Sequence, residues 1–171
     1  MNKKTIPSRL SQTEFLATFG GVFEKSEWIA KSLFISGIKK NYDTADSLHK
    51  AMVKLFRESS HKKKLDVLLA HPDLAGKLAQ RGELTKESQN EQSSAGLNQL
   101  TSDEFLDFQS LNAAYMNKHA FPFIIAVKGL TKWEILSQFR KRVNNSNVAE
   151  FKEACSQVEK IAYIRIKDII D

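Results

Sequence analysis

Helix-start punctuation constrains this chain more than any other feature. Ser or Thr is followed three residues later by Glu at Ser11 and Glu14, Thr101 and Glu104, and Thr131 and Glu134, each time ahead of an apolar run at helical spacing. In such a box the hydroxyl accepts from an unpaired first-turn amide and the carboxylate reaches back to the cap's own amide, so the spacing predicts a helix start. Asn147 and Glu150 give a related signal ahead of the clearest helical run, about 148 to 170. Opposing signals are scarce: seven glycines, prolines only at 7, 72 and 122, and no Asn-Gly or Asp-Gly hairpin pair. The chain is therefore expected to be all-α, one compact domain over residues 1–171. Its eight or nine helices are placed at about 11–19, 24–36, 44–58, 61–70, 73–80, 88–99, 102–118, 132–143 and 148–170.

One segment breaks the helical pattern. Phe121 to Val127, FPFIIAV, is short and apolar with a proline between two phenylalanines, and it reads as extended backbone threaded through the core. Amides that serve no sheet must find other partners, and such a segment can turn them toward a ligand; plain core packing is the competing reading.

Composition excludes several classes. No apolar run of signal-peptide length follows the lysines at 3 and 4, and no segment approaches the roughly 18 apolar residues of a membrane span. The single cysteine, Cys155, rules out an internal disulfide and a multi-thiolate metal site, and is expected in the core. The net charge of +6 draws on short clusters at Lys39-Lys40, His61 to Lys64 and Arg140 to Arg142, expected as solvated helix surface. A mild positive field would also gather a small anionic substrate.

Three places are candidates for chemistry. His71 stands immediately before Pro72, which biases it away from helical backbone and displays its ring at a junction. His49, His61 and His119 have plainer readings within or at the ends of helices. Ser88-Gln89-Asn90-Glu91-Gln92 repeats the box spacing, so a helix start is expected at Ser88, and a helix start can also hold a carboxylate or carbonyl. On the last helix Phe151, Cys155, Val158, Ala162, Arg165 and Ile169 share one line at 100° per residue. Arg165 on an apolar stripe must pair with a carboxylate, reach solvent or meet a ligand. Ile161, Ile164, Ile166 and Ile170 suggest that the helix end is covered on more than one side, with subunit contact one possible cover.

Taken in order, several motifs resemble the family of 2-oxo-4-hydroxy-4-carboxy-5-ureidoimidazoline (OHCU) decarboxylases. They are Phe19-Gly20, Phe23-Glu24, His71-Pro72-Asp73-Leu74-Ala75-Gly76, Leu84-Thr85, Glu87-Ser88, Glu91-Gln92, Ala95-Gly96-Leu97, Leu111-Asn112, Tyr115, Phe121-Pro122-Phe123 and Ile161 through Ile166. The resemblance implies an all-helical enzyme without cofactor or metal, usually a homodimer. Such an enzyme is a carbon-carbon lyase that converts OHCU to (S)-allantoin and CO2 in urate breakdown. It carries the catalytic roles to His71 and Glu91. Substrate contacts fall on Pro72, on Ser88, Gln89, Asn90, Glu91 and Gln92, on Phe123, Ile124, Ile125, Ala126 and Val127, and on Arg165. Where the family pattern has Phe-Gly before Phe-Pro-Phe, this chain has His119-Ala120. His119 is expected at the surface, and the lost glycine matters only if its backbone needs positive φ.

With no GxGxxG or P-loop to bring in an electron acceptor, the substrate is expected to serve as its own sink. Two other readings compete: a helical module binding nucleic acid or an acidic partner, and a hydrolase of ureido compounds using His71 and Glu91 to activate water. A cytoplasmic protein free of nucleic acid and membrane is expected. The ending Lys-Asp-Ile-Ile-Asp is not a peroxisomal Ser-Lys-Leu signal.

Overall fold

The computed structural model describes residues 5–171, Leu78 by its backbone alone, so the lysines at 3 and 4 lie outside the described residues. The fold is all-α. Nine α-helices are formed among the described residues: α1 (Gln12–Phe19), α2 (Trp28–Ser36), α3 (Ala45–Glu58), α4 (His61–Leu69), α5 (Lys77–Gln80), α6 (Lys86–Ser94), α7 (Ser102–His119), α8 (Lys132–Arg142) and α9 (Asn147–Ile170). The three boxes at Ser11, Thr101 and Thr131 are all complete, each hydroxyl accepting from the N3 amide and each Glu returning to the cap.

Several starts differ from expectation, and the helix expected from residue 24 begins only at Trp28. At α9 the hydroxyl of Ser146, not the side chain of Asn147, accepts from an amide, that of Ala149 at 3.2 Å, and Glu150 is drawn elsewhere. At α6 the cap is Thr85, whose hydroxyl accepts from the Ser88 amide at 3.3 Å. The expected helix over 73–80 shrinks to Lys77–Gln80 because Ala75 takes φ 50° and Gly76 becomes its N-cap.

Contacts divide the chain into two compact units, residues 1–70 with 158–171, and residues 71–157. In the first, α1, α2 and α3 pack around Phe15, Phe19, Phe23 and Phe56, with ring centroids 5.0 Å apart for Phe15–Phe19 and 5.5 Å for Phe23–Phe56. The end of α9 is fastened to α3 in this unit by polar contacts: Arg57 forks onto Glu159 at 2.8 and 2.7 Å, and Tyr163 donates to Asp46 at 2.8 Å. Ile161, Ile166 and Ile170 are buried within the chain itself and Ile164 is half-buried, so the chain covers most of that apolar surface unaided. Cys155, expected in the core, is only half-buried.

In the second unit α7 is the spine. Phe108, Asn112, Tyr115 and His119 recur at i, i+4, i+7 and i+11 on its buried face. The segment Phe121–Val127 has neither helix nor strand, and all seven residues are buried. Phe123 stacks on Phe139 at 3.9 Å, and Tyr115 meets both Phe121 and Phe123 edge-on at 5.9 and 5.4 Å.

Candidate active site

Within the second unit, the residues from His71 to Gly76 form a turn with a non-helical backbone. Pro72 cannot continue a helix, and α4 has already stopped at Leu69. The turn closes tightly: a Cβ on Gly76 would lie 2.6 Å from the Asp73 Cβ, so glycine is required there by space. Three carboxamides hold it. Gln92 accepts from the Ala75 amide at 3.0 Å and donates to the Asp73 carbonyl at 3.3 Å, Asn112 donates to the Leu74 carbonyl at 2.8 Å, and Gln109 donates to the Ala75 carbonyl at 2.9 Å. His71 opens this braced turn, half-buried, with its Nε2 shielded from solvent. Asp73 sits in the same turn, and burial pushes its carboxyl above the ordinary carboxylate range.

On α6, Ser88, Glu91 and Gln92 lie at i, i+3 and i+4 and share the inward face, Ser88 and Gln92 buried and Glu91 half-buried; Gln89 and Asn90 are exposed. Gln92 thus joins this face directly to the His71 turn. Because the helix starts at Thr85, the amides of Ser88 and Gln89 are already used, by the Thr85 hydroxyl at 3.3 Å and the Thr85 carbonyl at 2.9 Å. The stretch therefore presents side chains, not the open helix start expected from its spacing. A cleft of about 640 Å³ lies beside it, lined by Ala75, Gln89, Gln92, Leu97 and Phe105 among others, and neither His71 nor Glu91 lines it.

Phe123 to Val127 behaves differently. Among the described residues, only Ala126 of these five has an acceptor for its amide, Gln157 Oε1 at 2.9 Å. On the carbonyl side Val127 accepts from the Leu130 amide at 2.9 Å and Ile124 from Arg142 at 2.8 Å. Arg142 was expected on a solvated basic surface; instead it is 5% exposed, follows Ile135 and Phe139 along one helix face, and pairs with Glu150 at 3.0 Å. Burial alone would raise the Glu150 carboxyl, but hydrogen bonds from Arg142, Tyr115 and Asn145 outweigh it and hold it below the usual range. Burial and the bond to Glu150 push the Tyr115 phenol well above its ordinary value.

His119, expected at the surface, is 5% exposed, with Nδ1 2.7 Å from Asn147 Oδ1 and its ring 4.4 Å from that of Tyr115. The neighbouring Ala120 takes φ 60°, the left-handed conformation that a glycine would adopt without strain. Arg165 belongs to the first unit. It is buried and paired with Glu24 at 2.8 Å, and it donates to the Gly21 carbonyl at 3.1 Å, so of the three outcomes open to it on an apolar stripe the carboxylate pair is formed. Among the described residues no group of three His, Cys, Asp or Glu side chains is placed to hold a metal ion.

Asn112, Gln109, Arg142 and Gln157 were not nominated from sequence as site residues. Asn112 and Arg142 stand on apolar helical stripes, the same signal that singled out Arg165.

The fold is that of an all-helical protein with a histidine turn beside a polar helix face, and the chain belongs to the OHCU decarboxylase family, whose family model matches residues 8–167. It is 35% identical over 162 residues to the 2-oxo-4-hydroxy-4-carboxy-5-ureidoimidazoline decarboxylase of Halalkalicoccus jeotgali, covering 95% of this chain and 88% of that one. It is 36% identical to the uric acid degradation bifunctional protein of Bacillus sp. strain TB-90, again over 95% of this chain but only 31% of the relative's length. A crystal structure of (S)-allantoin synthase superposes with a TM-score of 0.75 at 32% identity, covering 96% of this chain and 53% of the other. No helix among the described residues is long and apolar enough to cross a membrane.

Proposed function

We propose that this chain is a carboxy-lyase that converts OHCU to (S)-allantoin and CO2 in urate degradation. The observation that carries this reading is a buried segment whose amides at Phe123, Ile124, Ile125 and Val127 have no acceptor among the described residues, in the same compact unit as a braced histidine turn. Buried amides left without partners are costly, so a segment that keeps four of them open is suited to a ligand rich in carbonyl and carboxylate oxygens.

In the reaction the bond between the carboxylate and the hydroxyl-bearing ring carbon breaks, its electron pair forms a C=C bond to the ureido-bearing carbon, and the displaced C=N pair moves onto the ring nitrogen, which takes a proton. The enol-like product then takes a proton on the ureido-bearing carbon while its hydroxyl gives one up. His71 serves as general acid or base at the hydroxyl or carboxylate, and Glu91 orients it or relays the stereospecific proton. Pro72 sets the turn, Ser88, Gln89, Asn90 and Gln92 supply side-chain contacts and support, and Phe123, Ile124, Ile125 and Val127 supply backbone donors, with Ala126 held in line by Gln157. Arg165 counters the substrate's negative charge, a role that rests on the resemblance.

The family match across residues 8–167 supports taking residues 1–171 as a single domain. On the same ground the protein is read as a cytoplasmic homodimer that needs no cofactor; light scattering after gel filtration at twice the chain mass tests the dimer. The activity is tested by generating the intermediate from urate and following circular dichroism. Faster appearance of optically active (S)-allantoin supports it, and racemic product at the spontaneous rate contradicts it.

A further inference from the structure

Arg142 and Glu150 lie behind the Phe121–Val127 segment, outside every role the resemblance assigns. The guanidinium donates to Ile124 O through Nη1 at 2.8 Å and to Glu150 through Nε at 3.2 Å and Nη2 at 3.0 Å, and it covers the Phe123 ring at 4.4 Å. Glu150, with no exposed surface, also accepts from the Tyr115 hydroxyl and from Asn145 at 2.9 Å. A buried ion pair contributes little net stability compared with apolar groups of the same volume, so stability alone does not account for one here.

Peptide planarity gives the cluster a use. The carbonyl of Ile124 and the N–H of Ile125 belong to one trans peptide unit and point in opposite directions, so gripping the first aims the second. The next unit is held in the same manner: Gln157 takes the Ala126 N–H at 2.9 Å, which fixes the Ile125 carbonyl, and Gln157 is itself anchored to Glu153 at 2.8 Å. The backbone of Ile125 is thus set from both sides by side chains remote from it in sequence.

We propose that Arg142 and Gln157 are positioning residues that aim the Ile125 N–H at an acceptor oxygen of the substrate, an inference that rests on the decarboxylase reading above. Arg142 does more than hold: a positive charge on the Ile124 carbonyl polarises the peptide and strengthens its N–H as a donor.

The test uses the full chain, with steady-state kinetics on the intermediate generated from urate and amide NMR during titration with (S)-allantoin. Arg142→Lys keeps the charge but loses the planar fork that spans Ile124 and Glu150 together. Gln157→Ala is the milder variant at a half-buried position, and Arg140→Ala, whose exposed partner is Asp107 at 2.7 Å, is the control. In Arg142→Lys and Gln157→Ala, KM is expected to rise about tenfold, equivalent to about 1.4 kcal/mol, with kcat changed by less than about threefold. Their Ile125 amide resonance loses its response to (S)-allantoin, and Arg140→Ala keeps the KM of the unmodified chain. A folded Arg142→Lys with unchanged KM, or with an intact Ile125 response, overturns the inference; if that variant fails to fold, Gln157→Ala decides by the same two readouts. An unmodified chain that yields no excess of (S)-allantoin overturns the activity itself, whereas (S)-selective turnover with unaltered variants overturns only the positioning role.

Discussion

The His71–Gly76 turn and the Phe121–Val127 segment are both irregular, and they are held in opposite ways. Neutral carboxamides from Gln92, Gln109 and Asn112 occupy the turn's Asp73, Leu74 and Ala75 carbonyls and the Ala75 amide. The segment is gripped at the Ile124 carbonyl by a buried ion pair and at the Ala126 amide by Gln157, while the amides of Phe123, Ile124, Ile125 and Val127 have no acceptor among the described residues. In the function proposed above, a closed backbone suits a turn that presents one side chain, His71, and an open backbone suits a segment whose own amides meet the ligand.

The largest expected effect breaks the segment's side. Arg142→Met leaves the Glu150 charge buried without its guanidinium and should cost about 3–5 kcal/mol in denaturant unfolding. Gln92→Leu strikes the turn by orphaning the Ala75 amide and the Asp73 carbonyl, and about 1–3 kcal/mol is expected because no charge is stranded. Equal losses in the two variants would erase the distinction between charged and neutral bracing. Ala120→Gly relieves the left-handed strain at the entrance to the segment and should raise stability by about 1 kcal/mol, read as a higher unfolding midpoint.

The response to pH separates the two carboxylates by sign. Glu150 is held below its ordinary 4.5, so the stability it contributes is present above that pH and is lost as pH falls through its folded value. Asp73 is raised above 3.8, so it favours the folded state at low pH and weakens it as pH climbs through its folded value. Asp73→Asn should therefore raise the melting temperature at neutral pH, with the gain gone below about pH 3.8, while Glu150→Gln should lower it at neutral pH. Melting curves against pH that move the same way in both variants would contradict this assignment.

Much of the fold was legible because capping is local: Ser11, Thr101 and Thr131 carry the whole signal within four residues. The same locality misled at Ser88, where Thr85 stands three residues upstream with an equally good hydroxyl, and burial settled the contest by turning Ser88 and Gln92 inward. Glu150 imitates a capping partner but is taken by Arg142. Arg142 itself was hidden among Arg140 and Lys141, although its spacing from Ile135 and Phe139 marks the buried face. The same stripe logic applied to Phe108, Asn112 and Tyr115 places His119 inside. His71, Glu91 and the buried segment were legible as candidates; the braces behind them were not, because which amide side chain meets which carbonyl is decided by tertiary packing.

The most direct measurement follows circular dichroism as the intermediate is generated from urate, with the unmodified chain and with His71→Asn. The unmodified chain should form (S)-allantoin in excess at an accelerated rate, and His71→Asn should lose about 10²- to 10⁴-fold in kcat while its far-UV spectrum is unchanged. Racemic allantoin from the unmodified chain, or full turnover from His71→Asn, would contradict the assignment.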